Sequence, residues 1–342
     1  KIYLNGSVFN KKIVLEQNGN SLVKSFGSNI YNAPASIINS GAGAMALASS
    51  ICGINDTYNE EITFENTGSG GINVGSNYKD LYKKDVVING TSIVFGQNGG
   101  AALFNGVIDQ NIRGLASSLP VFKKLIINKQ TADVRLEIPV VVGNAPDDSL
   151  ILTKGEVYTS QSALLIINNQ VKVFGASDKS FVNGPVKKIG NEDFIFPVGK
   201  DDSYRPIEIS NAATPSGSDV FVAEFFDHEQ SLGASFVDPP LKYISECEYW
   251  GLSAPSGTSS AKITLSWNSK TCDIDNDITK MHVAGWDGAK WISHGNSTYQ
   301  GSKITGGTLT SAAAINTYQA FLIGSEVIPG YGPPVGFSFN NF

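Results

Sequence analysis

The sequence predicts an all-β chain: a parallel β-helix-like solenoid over residues 1–200, then an antiparallel β-sandwich over residues 201–328. Three observations carry that expectation. Charged residues are only 16% of the 342, against roughly 25% in an average globular domain. Asn, Ser, Thr and 36 Gly supply the polarity instead, a mixture that favours strands and tight turns over exposed helices. The first 200 residues are short apolar runs ending in Asn or Gly, whereas period-two alternation becomes clear only after about residue 200.

The runs come in order as Lys12-Ile-Val-Leu15, Ile62-Thr-Phe64, Val86-Val-Ile88, Ser92-Ile-Val-Phe95, Lys124-Leu-Ile-Ile127, Pro139-Val-Val-Val142, Ala163-Leu-Leu-Ile-Ile167 and Val171-Lys-Val-Phe174. Gly and Asn tolerate the left-handed backbone that a sharp corner needs. Loose echoes follow: Leu125-Ile-Ile-Asn128 returns as Leu165-Ile-Ile-Asn168, and Ile38-Asn-Ser-Gly41 resembles Ile88-Asn-Gly90. Short strands, turns at both ends and an approximate period are the writing of a solenoid. Coils of roughly 20–25 residues, about 4.8 Å apart, would make a rod of about 40–50 Å. The competing architecture is a large antiparallel sandwich. Ser76-Asn-Tyr-Lys-Asp-Leu-Tyr-Lys-Lys84 is the one stretch expected to form a turn or two of helix, projecting from a coil.

All four Trp and all three His lie beyond residue 200. Asp219-Val-Phe-Val-Ala-Glu-Phe225 and Lys262-Ile-Thr-Leu-Ser-Trp267 alternate as half-buried strands, and Thr317–Gly324 reads as the last one. Trp286-Asp-Gly-Ala-Lys-Trp291 reads as a hairpin about an Asp-Gly turn. Residues 329–342 form a Pro/Gly-rich linker or tail that cannot join a sheet interior. With Lys1 as the first residue, this tail suggests a segment of a longer protein.

A net charge of −6, with Arg only at 113, 135 and 205, makes nucleic acid an improbable partner. No apolar run approaches the roughly 18 residues of a membrane span, so no membrane insertion is expected. Cys247 and Cys272 flank Trp250 and Trp267. Bridged, they would stabilise by roughly 3 kcal/mol and imply an oxidising compartment; unbridged, they are two buried thiols. Cys52 reads as a small residue between coils.

Other constellations have a functional and a structural side. Gly41-Ala-Gly-Ala-Met-Ala46 matches a dinucleotide fingerprint, but Ser49-Ser-Ile-Cys-Gly53 cuts short the helix that motif requires, and small residues at a tight corner explain it equally. Asp273, Asp275 and Asp277 offer alternating oxygens to Ca²⁺, the only cofactor the residues suggest, against a solvated turn. Asp109, Arg113, Lys123, Arg135 and Glu137 are the types a polysaccharide lyase would use; Arg135 and Glu137, two apart, are expected to pair on one strand face. Trp286 and Trp291 offer a sugar-stacking platform or, more simply, core.

One set of motifs points further. Ser180-Phe-Val-Asn-Gly-Pro-Val-Lys-Lys188, Phe194-Ile-Phe-Pro-Val-Gly-Lys200 and Tyr204-Arg-Pro-Ile-Glu-Ile209 resemble the place where a β-helical stalk ends in large surface proteins of Bacteroidota exported by type IX secretion. Glu248-Tyr-Trp-Gly-Leu252, Ile263–Trp267 and Trp286–Trp291 look like the companion sandwich, so the resemblance spans roughly residues 120–325. It implies an extracellular or cell-surface, often adhesive, non-enzymatic segment whose partners are other domains of its parent, surface polysaccharide or the secretion machinery. A carbohydrate-binding or polysaccharide-cleaving module, or a subunit of a secretion or filament assembly, are the alternatives. Such proteins normally carry a C-terminal sorting domain, and none is visible here. Asp148-Ser149-Leu150 resembles the phylum's O-glycosylation acceptor, with Thr57 in a poorer match. The sandwich is expected to cap the open coil, with Phe194, Phe196 and Pro197 as the plug.

Overall fold

The computed structural model describes residues 4–49, 55–115, 117–232 and 236–328. Cys52 and the tail 329–342 lie outside them. The chain winds first into a parallel β-solenoid of about seven turns. Each turn places one short strand on each of three faces. The first face runs from Val8–Phe9 to Lys172–Phe174, the second from Ile13–Gln17 to Val182–Asn183, and the third from Val23–Lys24 to Val186–Ile189. Every pairing between coils is parallel. Seven spacings of about 4.8 Å give roughly 34 Å, shorter than the sequence implied. On the third face the last parallel pair is Ile167 with Lys188, and on the second face parallel pairing continues to the bridge of Val182 with Val198.

Parallel, in-register pairing puts like positions on top of one another, and the lumen is built from the resulting columns. Phe9, Tyr31, Tyr58, Tyr82 and Phe104 occupy one register position on five successive coils. Their rings stack at 4.9, 4.9, 5.0 and 5.2 Å, the strand spacing itself. Each such pair contributes about 0.5–1.5 kcal/mol beyond its buried area. Phe95 and Phe122 make a second stack at 4.2 Å on the third face. Corners turn where side chains are absent: a Cβ on Gly41 or Gly43 would lie 2.3 Å from the carbonyl oxygen of Gly19 or Ser21 one coil below. Gly41–Ala46 is therefore a corner, and the strand Met45–Ala46 follows it, with no helix.

Two expectations are corrected here. Residues 76–84 do not project as a helix; Lys79–Tyr82 is a strand of the first face, with Asp80 and Tyr82 fully buried. Its polar letters conceal alternation, because the inward positions are an Asp and a Tyr. The two Leu-Ile-Ile-Asn runs are not one repeated position: Lys124–Asn128 lies on the first face and Leu165–Ile167 on the third.

Beyond the solenoid the strands become antiparallel. Val220–Phe226, Tyr249–Ser256, Ala320–Ser325, Met281–Trp286 and Trp291–Ser293 extend the third face in that order. A second sheet of five strands starts with Phe194–Phe196 and Ile207–Ser210 and continues through Lys262–Trp267. Among the described residues the one helical element is the single 3-10 turn Ile278–Lys280, and no helix is long and apolar enough to cross a membrane.

The first-face corner also buries acid. The Asn29 backbone and side-chain N–H groups donate to Asp56 Oδ1 at 2.8 and 2.9 Å, and the Asp56 N–H donates to Asp80 Oδ1 at 2.8 Å. Burial pushes the Asp56 carboxyl from 3.8 to about 6 and Asp80 well up. Between pH 4 and 6 the folded chain thus holds a proton that the unfolded chain has released, so stability falls as pH rises through that window. Asp56→Asn, which retains the acceptor oxygen, should make this slope shallower in urea denaturation at pH 4.5 and 7. It should raise stability at pH 7 by on the order of 2–3 kcal/mol. An unchanged pH profile would refute the assignment.

Candidate functional site

The most elaborated place in the molecule is the end of the solenoid. The last third-face strand, Val186–Ile189, pairs with Leu165–Ile167 on one side and antiparallel with Val220–Phe226 on the other. That face therefore has no edge there. On the second face, the Val182 N–H donates to the Pro197 carbonyl at 2.7 Å. Phe194, Phe196 and Pro197 are buried; the two rings meet edge-on at 4.9 Å and belong to the same apolar cluster as the solenoid lumen. Gly199 passes so close beneath Phe181 that a Cβ would sit 2.8 Å from its ring. The first face ends differently: Lys172 and Phe174 of its last strand are exposed.

Two buried cations lie beside this junction. Lys188 donates to the Asn168 and Ile189 carbonyls and to Glu192 Oε1 at 2.6 Å, and its ammonium stands 5.3 Å from the Phe194 ring centroid. Burial lowers its pKa, opposed by Glu192. Arg205 reaches Glu248 at 3.1 Å, Asn268 at 2.9 Å and Thr271, while its carbonyl accepts the Trp250 indole N–H at 2.8 Å. Burial lowers the Arg205 pKa and raises that of Glu248, each offset by the other's charge. Arg205 thereby ties the segment after the solenoid to strands 249–256 and 262–267. Cys247 and Cys272 form a disulfide across a separation of 25 residues, closing the same region.

The lyase-type residues do not assemble. Arg113 pairs with Glu61 at 2.6 Å and Asp85 at 3.4 Å; Arg135 pairs with Asp109 at 3.5 Å and lies 4.0 Å over the Tyr158 ring. The expected Arg135–Glu137 pair is absent because a neighbouring coil offers Asp109 instead. Lys123 is elsewhere, with Asp148 at 3.4 Å. The acids of this stripe serve the backbone: Asp85, Asp109 and Asp133 accept N–H groups of Asn111, Asp133 and Glu156 from the next coil. Burial lowers Lys129 to about 8, the range of a catalytic base. Its ammonium nevertheless points inward, to the Ile108 carbonyl at 2.6 Å and Gln110 Oε1 at 2.5 Å.

Three further expectations fail on burial or geometry. Trp291 and Trp286 form the predicted hairpin pair, but they are 0% and 9% exposed and pack on Leu241, Ile244 and Leu322. Trp291 therefore offers no ring face to a sugar, while Trp286 only borders a surface pocket with Asp287, Ile292 and His294. Ser149 is 6% exposed and begins the strand Ser149–Lys154, so its hydroxyl is not presented as a glycan acceptor; Thr57 is half-buried within a strand. Asp273, Asp275 and Asp277 do not converge. Asp275 accepts the Asp277 N–H at 2.8 Å, and Asp277 caps the 3-10 turn through Thr279. Among the described residues the one group of metal-type ligands is Cys247, Cys272 and Asp273, and its sulfurs are joined to each other.

Sequence reasoning missed the aromatic column, the buried acid ladder and Arg205. The first had a signal: an aromatic residue followed by Asn recurs at Phe9, Tyr31, Tyr58 and Phe104. The chain matches no family model, no curated protein and no solved structure.

Arg205→Ala leaves Glu248 buried and unpaired and should cost about 3–5 kcal/mol in chemical denaturation. Replacing both Cys247 and Cys272 by Ser should cost about 3 kcal/mol, and reductant should then have no further effect on the melting temperature.

Proposed function

We propose that this chain is a non-enzymatic structural segment of an exported cell-surface protein, in which the solenoid is a stiff spacer and the antiparallel strands form a β-sandwich that caps it. The observation that carries the reading is the junction. A final coil presents unpaired backbone and an open apolar lumen, which invite aggregation. Here the antiparallel strands pair directly with the last third-face strand while Phe194 and Phe196 extend the lumen core. The disulfide fits an oxidising compartment. The resemblance of residues 180–209 to stalk ends in type IX-exported Bacteroidota proteins supports an adhesive surface setting. Against catalysis stand the lyase-type side chains, each engaged by a neighbour or directed inward.

The cap reading is tested by removing residues 190–342. The remaining coils should aggregate or lose cooperative unfolding, while the full chain stays soluble and melts in one transition. A shortened rod that is equally soluble and cooperative would eliminate the cap.

A further inference from the structure

One corner of the solenoid brings an amine, a side-chain amide and a carboxyl together. Between the strands Val121–Phe122 and Lys124–Asn128 the chain turns on a single residue, Lys123. On the next coil Val142 pairs with Phe122 and Ser149 with Lys124, so the six residues Gly143–Asp148 cover the same corner. The Gly143 N–H donates to the Phe122 carbonyl at 2.7 Å, and the Ser149 N–H to the Lys123 carbonyl at 3.0 Å. The surplus residues fold back over the Lys123 side chain, because Asp148 Oδ2 accepts the Asn144 and Ala145 N–H groups at 2.8 and 3.0 Å. This turn needs glycine at its start. Gly143 has a φ of +72°, and a Cβ there would lie 2.7 Å from Asp148 Cβ and 2.4 Å from a Val171 methyl.

Lys123 Nζ thus ends between two side chains. It donates to Asn144 Oδ1 and stands 3.4 Å from Asp148 Oδ2. Lys123 and Asp148 are both buried, while Asn144 faces solvent. Lys129 also meets a side-chain amide, but there the Gln110 nitrogen is held by the Tyr82 and Lys84 carbonyls, and the ammonium turns to the Ile108 carbonyl instead of a carboxylate. Only the Lys123 corner combines an amine, an amide with a free exit and an acid–base group. We propose that Lys123 and Asn144 join in an intramolecular amide bond, formed by the folded chain itself with Asp148 as the proton carrier.

The step balances without any further reactant. Asp148 takes a proton from the Lys123 ammonium, and the freed electron pair of Nζ forms a bond to Asn144 Cγ. The Cγ–Nδ2 bond breaks and its electron pair leaves with Nδ2. That nitrogen takes one proton from Nζ and the proton held by Asp148, and departs to solvent as ammonium. Asp148 is a carboxylate again, and a neutral secondary amide replaces the lysine charge. Reactants fixed in one molecule behave as if at roughly 10⁵–10⁸ M, which offsets the low reactivity of a primary amide. The bond would close a stretch of 21 residues and make two successive coils covalent at this corner. It lies within the coils and is independent of whether the antiparallel strands cap them.

Intact mass of the reduced full chain tests this. The mass should fall short of the sequence mass by one ammonia, and trypsin should release residues 114–124 and 136–154 as one branched peptide, uncut after Lys123. Asn144→Ala and Asp148→Asn should each restore the unbranched peptides; Asn at 148 retains an acceptor oxygen for the turn. The native chain alone decides the matter if either variant misfolds. Full mass with cleavage after Lys123 would overturn the proposal. So would an ammonia loss confined to the 136–154 peptide, which is ring closure of Asn144 on its own backbone. A branched peptide that forms equally in the Asp148→Asn chain would overturn the role of Asp148.

Discussion

Stacking in register at the spacing of a parallel sheet is the constraint from which the rest follows. Each coil is too small to bury its own inward residues, so their burial depends on the coil above and below. The same translation that pairs the backbones sets Tyr31, Tyr58 and Tyr82 at about 5 Å from one another, within the range at which offset rings attract. It also places Gly41 and Gly43 on coil backbones that leave no room for a Cβ. Aromatic columns and small-residue corners are two outcomes of one geometry.

The constraint makes polar columns as readily as apolar ones, and those explain the charges. An Asp at a corner finds the N–H of the next coil above or below it, which is why Asp56, Asp85, Asp109 and Asp133 each accept a backbone bond. Stacking like on like also forces Asp56 and Asp80 together in the interior, where burial favours their protonated forms. A stripe of carboxylates and arginines on a solenoid resembles catalytic machinery in composition. Here its members are engaged in holding coil to coil.

A stack of coils leaves unpaired backbone at its last coil unless another element pairs with it. At the far end the third face changes from parallel to antiparallel without interruption, and Arg205, Lys188 and the disulfide brace the change.

The sequence alone determined the composition of the fold: short strands ended by Gly and Asn, a change of pattern near residue 200 and the Trp286–Trp291 hairpin, all of which rest on local turn chemistry, whereas it left Cys247 and Cys272 as either a bridge or two thiols. Only the tertiary structure decided which residue lies over which. Coil length varies, with Val121 over Val141 but Ile30 over Thr57, so no fixed period exposes the columns. Lys79–Tyr82 therefore passed for a projecting helix and Ser149 for a surface acceptor, and Arg135 was matched to Glu137 when its partner is a coil away. Residues stacked in the solenoid lie 20 to 27 apart in the chain, and the partners of Arg113 lie 28 and 52 away, beyond the reach of any local pattern.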